Sequence, residues 1–224
     1  MRLIAKEAQA TLKLATPIAF GSASMVLMGV VDSLMIGRVG TVPLAASAFT
    51  NSVFSLFYFV GLGLLLPVAV LVSRSHGSDR PADCVIWLRH GLALALGAGI
   101  AGSLLMGVLA LRLDLFQQPP EVIAEVVPFF LLFAVSLVPA MLFQVLRQYA
   151  ESLAFAWIPM AILFSCVGLN AALNWVLIYG NLGAPSLGLT GAGIATLFSR
   201  TLCVLIIMLW LRRKLANREK WPRS

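Results

Sequence analysis

Six long apolar runs divide this chain, and each can cross a lipid bilayer as a helix. They cover residues 14–37, 48–72, 85–111, 122–146, 157–179 and 191–211. The shortest of them, 191–211, has 21 residues, and a helix needs roughly 20 to span the hydrocarbon core. Because lipid offers no partner to an unpaired backbone group, the runs predict an all-α integral membrane protein with six transmembrane helices.

Charged residues are few and lie mainly between the runs. They make up 11% of the chain, whereas a soluble domain averages about 25%. With the amino terminus in the cytoplasm, 13 basic residues fall on the cytoplasmic side: three before the first run, Arg74, Arg80, Arg89, Arg147 and six at the end. The opposite side holds 2, Arg38 and Arg112. This bias predicts an inner-membrane protein with both termini cytoplasmic. Lipid and topology explain the formal charge of +7 without a nucleic-acid partner.

The runs predict three parts. Residues 1–13 form a cytoplasmic amphipathic segment on the membrane face, 14–211 a six-helix lobe, and 212–224 a basic cytoplasmic tail. The first run continues past the small residues at 21–24, so we expect it to be retained and not cleaved as a signal peptide. Residues 73–89 carry Arg, His, Asp, Gly and Pro, which predicts a solvated loop.

Small residues recur at every fourth position of the third run. They are Gly91, Ala95, Gly99, Ser103 and Gly107. Residues four apart share one helix face, and small side chains let two backbones approach closely. This face is predicted to pack against another helix.

A single carboxylate, Asp32, lies within the first run. At 1.5 Å per residue it is about 7 to 8 Å from the outer end at Gly37. An ionised group inside a membrane is a functional candidate by default, but an acid this close to the end could also reach interfacial water. Position alone leaves both interpretations open.

Two asparagines of the fifth run match Asp32 in depth. Runs one and five both lead outward, and Asn174 lies six residues before Gly180 while Asp32 lies five before Gly37. Asn170 is one turn deeper on the same face, so both amides could line a polar cavity beside the carboxylate. In such a cavity Asp32 would exchange a proton or bind a small cation. The alternative is that the amides join helices by hydrogen bonds alone.

Arg200 lies inside the sixth run as a candidate charge partner. It could pair with Asp32 or another acid, line the cavity, or extend along the helix toward water. Cys84, Cys166 and Cys203 have no metal-ligand spacing and are predicted to be small packing residues without a disulfide framework. No metal cluster or catalytic motif appears, so we expect no metal site, no catalytic residue and no enzyme.

Seven stretches resemble a known family in their order and spacing. They are LATPI at 14–18, MGVVDSLMIG at 28–37, LVSRSHGSDR at 71–80, LRQY at 146–149, LNAALNW at 169–175, YGNLGAP at 179–185 and GAGIAT at 191–196. As a set they resemble the multidrug and toxic compound extrusion (MATE) transporters, in particular the NorM-like branch, over nearly the whole chain.

The resemblance implies export of amphipathic, often cationic organic compounds by alternating access between two six-helix lobes, coupled to H⁺ or Na⁺ and without a cofactor. It assigns Asp32 to the cation or proton site of the amino-terminal lobe, with Asn170 and Asn174 beside it. Some relatives have aspartate where this chain has Asn174. A single carboxylate favours a proton, because hard cations prefer several oxygen ligands, but sodium stays open.

Family members normally have twelve spans, and this sequence has six. We expect either a truncated product or a lobe that works with a partner, which is the missing carboxy-terminal lobe or a second copy of this chain. Family lobes are related by an axis along the membrane normal, so two copies in one orientation would be allowed. The alternative function is a non-transporting membrane subunit or remnant that requires a partner lobe.

Overall fold

The structure, a computed structural model, describes residues 2–112 and 120–216. Within them lie six helices: α1 (Arg2–Gly37), α2 (Thr41–Gly77), α3 (Pro81–Ala110), α4 (Pro120–Ser152), α5 (Trp157–Tyr179) and α6 (Gly188–Ala216). A short 3-10 turn, Asn181–Gly183, joins α5 to α6. All six helices are long and apolar enough to cross a membrane. The predicted all-α architecture with six membrane helices is therefore confirmed.

The predicted loop at 73–89 is wrong. α2 continues to Gly77 and α3 begins at Pro81, so only three residues separate the two helices. Helical hydrogen bonds do not require apolar side chains, so a helix continues past the apolar run that identified it. Proline suits the first turn of a helix, where its missing N–H would have no partner. α1 likewise runs without interruption through the expected boundary after residue 13. Residues 217–224 of the expected tail lie outside the described residues.

α4 is the central helix of the bundle. It packs against α2, α3 and α6, and half of its apolar window is buried within the protein. Its inward face carries large side chains that are almost fully buried, including Phe129, Phe130, Leu137, Met141 and Tyr149. The other helices bury a smaller share of their apolar windows and leave much of their apolar surface outside the core. The arrangement is that of a membrane bundle built around one helix.

The row of small residues on α3 contacts α4 at Gly91, Gly99 and Ser103. Gly91, Ala95 and Gly99 are buried, and the Ser103 hydroxyl donates to the Ala134 carbonyl oxygen. A Cβ on Gly99 would lie 2.9 Å from the Cα atom of Val138. Gly107 does not follow the pattern, because a Cβ there would meet no atom within 4 Å. Close helix approach therefore accounts for Gly91, Gly99 and Ser103, and Ala95 is buried on the same face.

We expect Gly99→Ala to destabilise the protein by about 1 to 3 kcal/mol, because the added methyl group overlaps the α4 backbone and the helices must separate. Gly107→Ala on the same helix is the matched control and should leave the stability unchanged or slightly higher. Thermal unfolding of both variants in detergent micelles checks the difference. Equal unfolding temperatures for the two variants would contradict the close packing of α3 and α4.

Cys166 and Cys203 correct a further expectation. The structure joins them as a disulfide between α5 and α6, with their Cα atoms 6.4 Å apart. Cys84 is buried and not part of this bridge; its thiol lies within hydrogen-bonding distance of the Val72 and Arg80 carbonyl oxygens. The bridge closes a sequence separation of 37 residues, so it depends on how α5 and α6 align. The spacing of the cysteines in the sequence does not show how these two helices align.

Arg147, counted above among the basic residues of the cytoplasmic side, is buried inside the protein. It belongs to α4, and its Nε donates to the Glu151 Oε1 at 2.7 Å. The two residues are one helical turn apart, which places both side chains on one face. A Cβ on Gly21 of α1 would lie 3.5 Å from the Arg147 Nη2. The arginine of this ion pair therefore lies next to Gly21 of α1.

Candidate functional site

Asp32 of α1 and Asn174 of α5 meet in the interior of the bundle. The Asn174 Nδ2 donates to the Asp32 Oδ1 at 2.5 Å. Asp32 is 7% exposed and Asn174 is fully buried, so the carboxylate faces neither lipid nor open solvent. The structure thus brings together two residues that the sequence placed at the same depth. A buried carboxylate needs such a donor, because leaving it without a partner costs several kcal/mol.

The contact extends into a polar chain that joins three helices. Asn174 Nδ2 also donates to the Asn170 Oδ1 at 3.3 Å, and Asn170 Nδ2 donates to the Thr196 Oγ1 of α6 at 3.5 Å. Asn170 and Thr196 are each 1% exposed. The Asn174 Oδ1 has no hydrogen-bond partner among the described residues. A change of charge at Asp32 therefore affects hydrogen bonds that connect α1, α5 and α6.

Local backbone geometry holds these helices in register. Tyr179 near the end of α5 donates its hydroxyl to the Met35 carbonyl oxygen of α1 at 2.8 Å. Gly180 then ends α5 with φ 74°, a left-handed conformation that glycine adopts without steric cost. On α6, a Cβ at Gly191 would lie 2.6 Å from the Leu177 carbonyl oxygen, so only glycine permits this approach. Both helices are thereby fixed close to the chain of amides.

A cavity of about 870 Å³ lies beside the polar chain. Its wall comes from five helices, α1, α2, α4, α5 and α6, and is mostly apolar. Asp32 and Arg200 supply its two charged side chains among the described residues, and the aromatic part of the wall is Phe54, Tyr58, Phe59, Phe133 and Phe143. The volume lies within the usual range of small-molecule sites, roughly 300 to 1,000 Å³.

Arg200 lines this cavity near the middle of the bundle. Its Nη1 donates to the Ser136 Oγ at 2.6 Å, and its guanidinium lies 4.3 Å from the ring centroid of Phe54. Ser136 is 16 residues from either end of α4, so the side chain does not extend to a helix end. The described contacts include no hydrogen bond or ion pair between Arg200 and an acid, although Asp32 acts on it through space. The sequence left three roles open for Arg200, namely pairing with an acid, lining the cavity or extending toward water. Its observed position is that of a residue that lines the cavity.

The sequence did not identify Thr196, Ser136 or Phe54 as members of this site. Thr196 could have been found, because it lies one turn before Arg200 and thus on the same face of α6. Ser136 and Phe54 join the site only through the packing of α2, α4 and α6, which leaves no periodic signal.

The sequence matches the MatE family over residues 17–176. Multidrug resistance protein NorM of Vibrio cholerae is 31% identical over 209 residues, which cover 92% of this chain and 45% of that protein. Multidrug resistance protein MdtK of Yersinia pestis is 36% identical over 194 residues, covering 85% and 42%. The chain spans about half the length of the curated relatives it matches.

Solved structures share the fold. A MATE crystal structure in the bent conformation superposes with a TM-score of 0.84 at 20% identity, covering 97% of this chain and 49% of that one. The eukaryotic MATE transporter AtDTX14 also gives a TM-score of 0.84, at 22% identity, with 92% and 46% covered. At this level of identity the likeness is one of fold, and it extends over nearly all of the chain and half of each neighbour.

Proposed function

The chain belongs to the MatE family, and we propose that it forms the amino-terminal six-helix lobe of a secondary active transporter that exports amphipathic or cationic organic compounds. Asp32 is the proposed coupling residue, with Asn170 and Asn174 beside it. The observation that carries this proposal is the buried chain from Asp32 through Asn174 and Asn170 to Thr196, next to a cavity that could hold an organic compound. A carboxylate buried in a membrane bundle marks an ion pathway by default.

The proposed mechanism uses the charge of Asp32 as a switch. The ionised carboxylate accepts the Asn174 amide and holds α1 against α5. When Asp32 takes up a proton, the hydrogen bond loses its charge assistance and becomes weaker, so that the contact between the two helices loosens. An ion can shift a conformational equilibrium only if it favours one state, and this contact is where that difference would arise. The cavity would face opposite sides of the membrane in the two states.

The composition of the site favours a proton over sodium as the coupling ion. Asn174 directs its NH₂ group at the carboxylate, so the group nearest Asp32 is a donor and not a further oxygen ligand. A hard cation prefers several oxygens, including carboxylates. Sodium would require the amide to turn and present its Oδ1 atom. Both ions remain outcomes of the test below, and no cofactor enters the proposal.

This multi-pass membrane protein spans about half the length of its curated relatives, so we propose that transport requires a second six-helix lobe. The proposed partner is the missing carboxy-terminal lobe or a second copy of this chain. We further propose that the protein lies in the inner membrane with both termini cytoplasmic, as the distribution of basic residues indicates. The alternative function, a non-transporting membrane subunit, is favoured by the same half-length and by no other observation.

An ion-gradient experiment tests the proposal. The native transporter that contains this chain is reconstituted into liposomes, and movement of a fluorescent cationic dye is followed after an imposed proton gradient or an imposed sodium gradient. We expect the proton gradient to drive dye transport several-fold above the level without a gradient, and the sodium gradient to leave it unchanged. Transport driven by sodium alone would assign the other coupling ion. Transport driven by neither gradient would support the non-transporting subunit.

A further inference from the structure

The cavity holds a fixed cation as well as a fixed anion, and the proposed mechanism uses only the anion. We propose that Arg200 is a specificity-determining residue that binds a carboxylate, so that the preferred substrates are zwitterionic aromatic compounds. This inference rests on the proposed function, because it names the class of compound that the same cavity takes.

Arg200 is held in place with most of its donor capacity unused. A guanidinium carries five N–H donors, and the described contacts give this one a single hydrogen bond, to the Ser136 Oγ. The ring centroids of Phe54 and Phe133 lie 4.3 and 5.1 Å from the central carbon of the guanidinium. A planar guanidinium with free N–H groups matches the two oxygens of a carboxylate. Arg200 is partly buried and has no ion pair to an acid among the described residues, although Asp32 acts on it through space, so an anion in the cavity would be stabilised there.

The contacts between helices fix the depth of Arg200 relative to Asp32. Asp32 lies level with Asn174, because the two are hydrogen-bonded, and Asn170 is one turn deeper. Thr196 contacts Asn170, and Arg200 follows Thr196 by one further turn toward the membrane centre. Each turn of four residues rises about 6 Å, so the two Cα positions differ in depth by about 12 Å. A compound with a cationic group at one end and a carboxylate at the other could reach both charges.

Aromatic side chains line the cavity that holds the two charges. Phe54 and Tyr58 of α2 and Phe133 and Phe143 of α4 line the cavity, and the rest of its wall is mostly apolar. Such a wall suits a flat ring system. A lipid headgroup is a poor candidate for the anion, because Arg200 is level with the middle of α4, far from both membrane surfaces.

The two charges of the cavity favour a substrate whose two ends carry opposite charges. Asp32 in its ionised form attracts the cationic end, while Arg200 attracts the carboxylate and repels a compound that carries only positive charge. Uptake of a proton by Asp32 removes the attraction for the cationic end and weakens binding. The zwitterion is thus released when the proton binds, as exchange of the two requires.

Two dyes that differ in one group test the inference. Tetramethylrhodamine carries a free carboxylate, and its methyl ester is purely cationic. Their binding to the native protein in nanodiscs is measured at neutral pH by fluorescence anisotropy. We expect the free acid to bind about tenfold more tightly than the ester, the scale of one charge-assisted pair. In Arg200→Gln the acid should bind about tenfold more weakly, while the ester binds equally or more tightly.

Two further variants serve as controls. Arg200→Lys keeps the charge without the planar fork and should retain part of the preference for the acid. Arg212→Gln lies at an exposed position of the same helix and should leave both affinities unchanged. Equal affinity of the wild-type protein for the two dyes would overturn the inference and leave the proposed function in place. Equal weakening of both dyes by Arg200→Gln would also overturn it. Binding of neither dye by the wild-type protein would overturn the proposed function together with this inference.

Discussion

Asp32→Asn in the proposed transporter is expected to lower proton-driven efflux by about 100-fold, the scale on which removal of a positioned proton-transfer group acts. Asparagine has nearly the size of aspartate and can still bond to Asn174, so the helices remain packed while the titratable group is lost. Dye efflux from vesicles under an imposed proton gradient measures the effect. Asp79→Asn, at an exposed acid between α2 and α3, is the matched control and should transport normally.

Exchanging the acid and the amide between positions 32 and 174 tests whether the acid must lie on α1. In the double variant Asp32→Asn with Asn174→Asp, one carboxylate and one amide still face each other across α1 and α5. We expect this variant to recover part of the proton-driven efflux that Asp32→Asn loses, because a buried acid is restored within the same hydrogen-bonded pair. Full coupling in Asp32→Asn alone would contradict the assignment of Asp32.

The second large effect concerns stability. Glu151→Ala should lower the free energy of unfolding by about 3 kcal/mol, because it removes the acid that neutralises a buried arginine. The side chains of Arg147 and Glu151 are only 8% and 17% exposed, so water compensates poorly for the lost partner. Denaturant unfolding in mixed micelles measures the loss. Arg89→Ala, at an exposed basic position of α3, should change the stability by less than about 0.5 kcal/mol.

Replacing both charges distinguishes the ion pair from simple packing. Arg147→Met combined with Glu151→Leu removes both charges and keeps much of the volume, and such exchanges are often neutral. We expect the double variant to be more stable than Glu151→Ala. A double variant at least as destabilised as Glu151→Ala would show that the loss comes from packing and not from the unpaired charge.

Some features of the site could be predicted from the sequence because they depend on residues close together in the chain. The depth of Asp32 and the spacing of Asn170 and Asn174 follow from counting helical residues, and the structure joins all three. The small residues of α3 repeat every four positions, which predicts a close contact with another helix but does not show which helix it is. Arg147 shows the limit, because its charge predicts a position on the cytoplasmic side, whereas its burial and its approach to Gly21 of α1 depend on tertiary packing.

The sequence by itself determined that this chain is a bundle of six membrane helices with one acid among amides, because hydropathy and helical periodicity are local properties. Only the tertiary structure decided that the contacts of Asp32 extend to Thr196, that Arg200 lies on Phe54 beside Ser136, and that Cys166 meets Cys203. Those contacts join residues from different helices. The alignment of one helix on another is set by side-chain packing along their whole length, and no short stretch of sequence contains it.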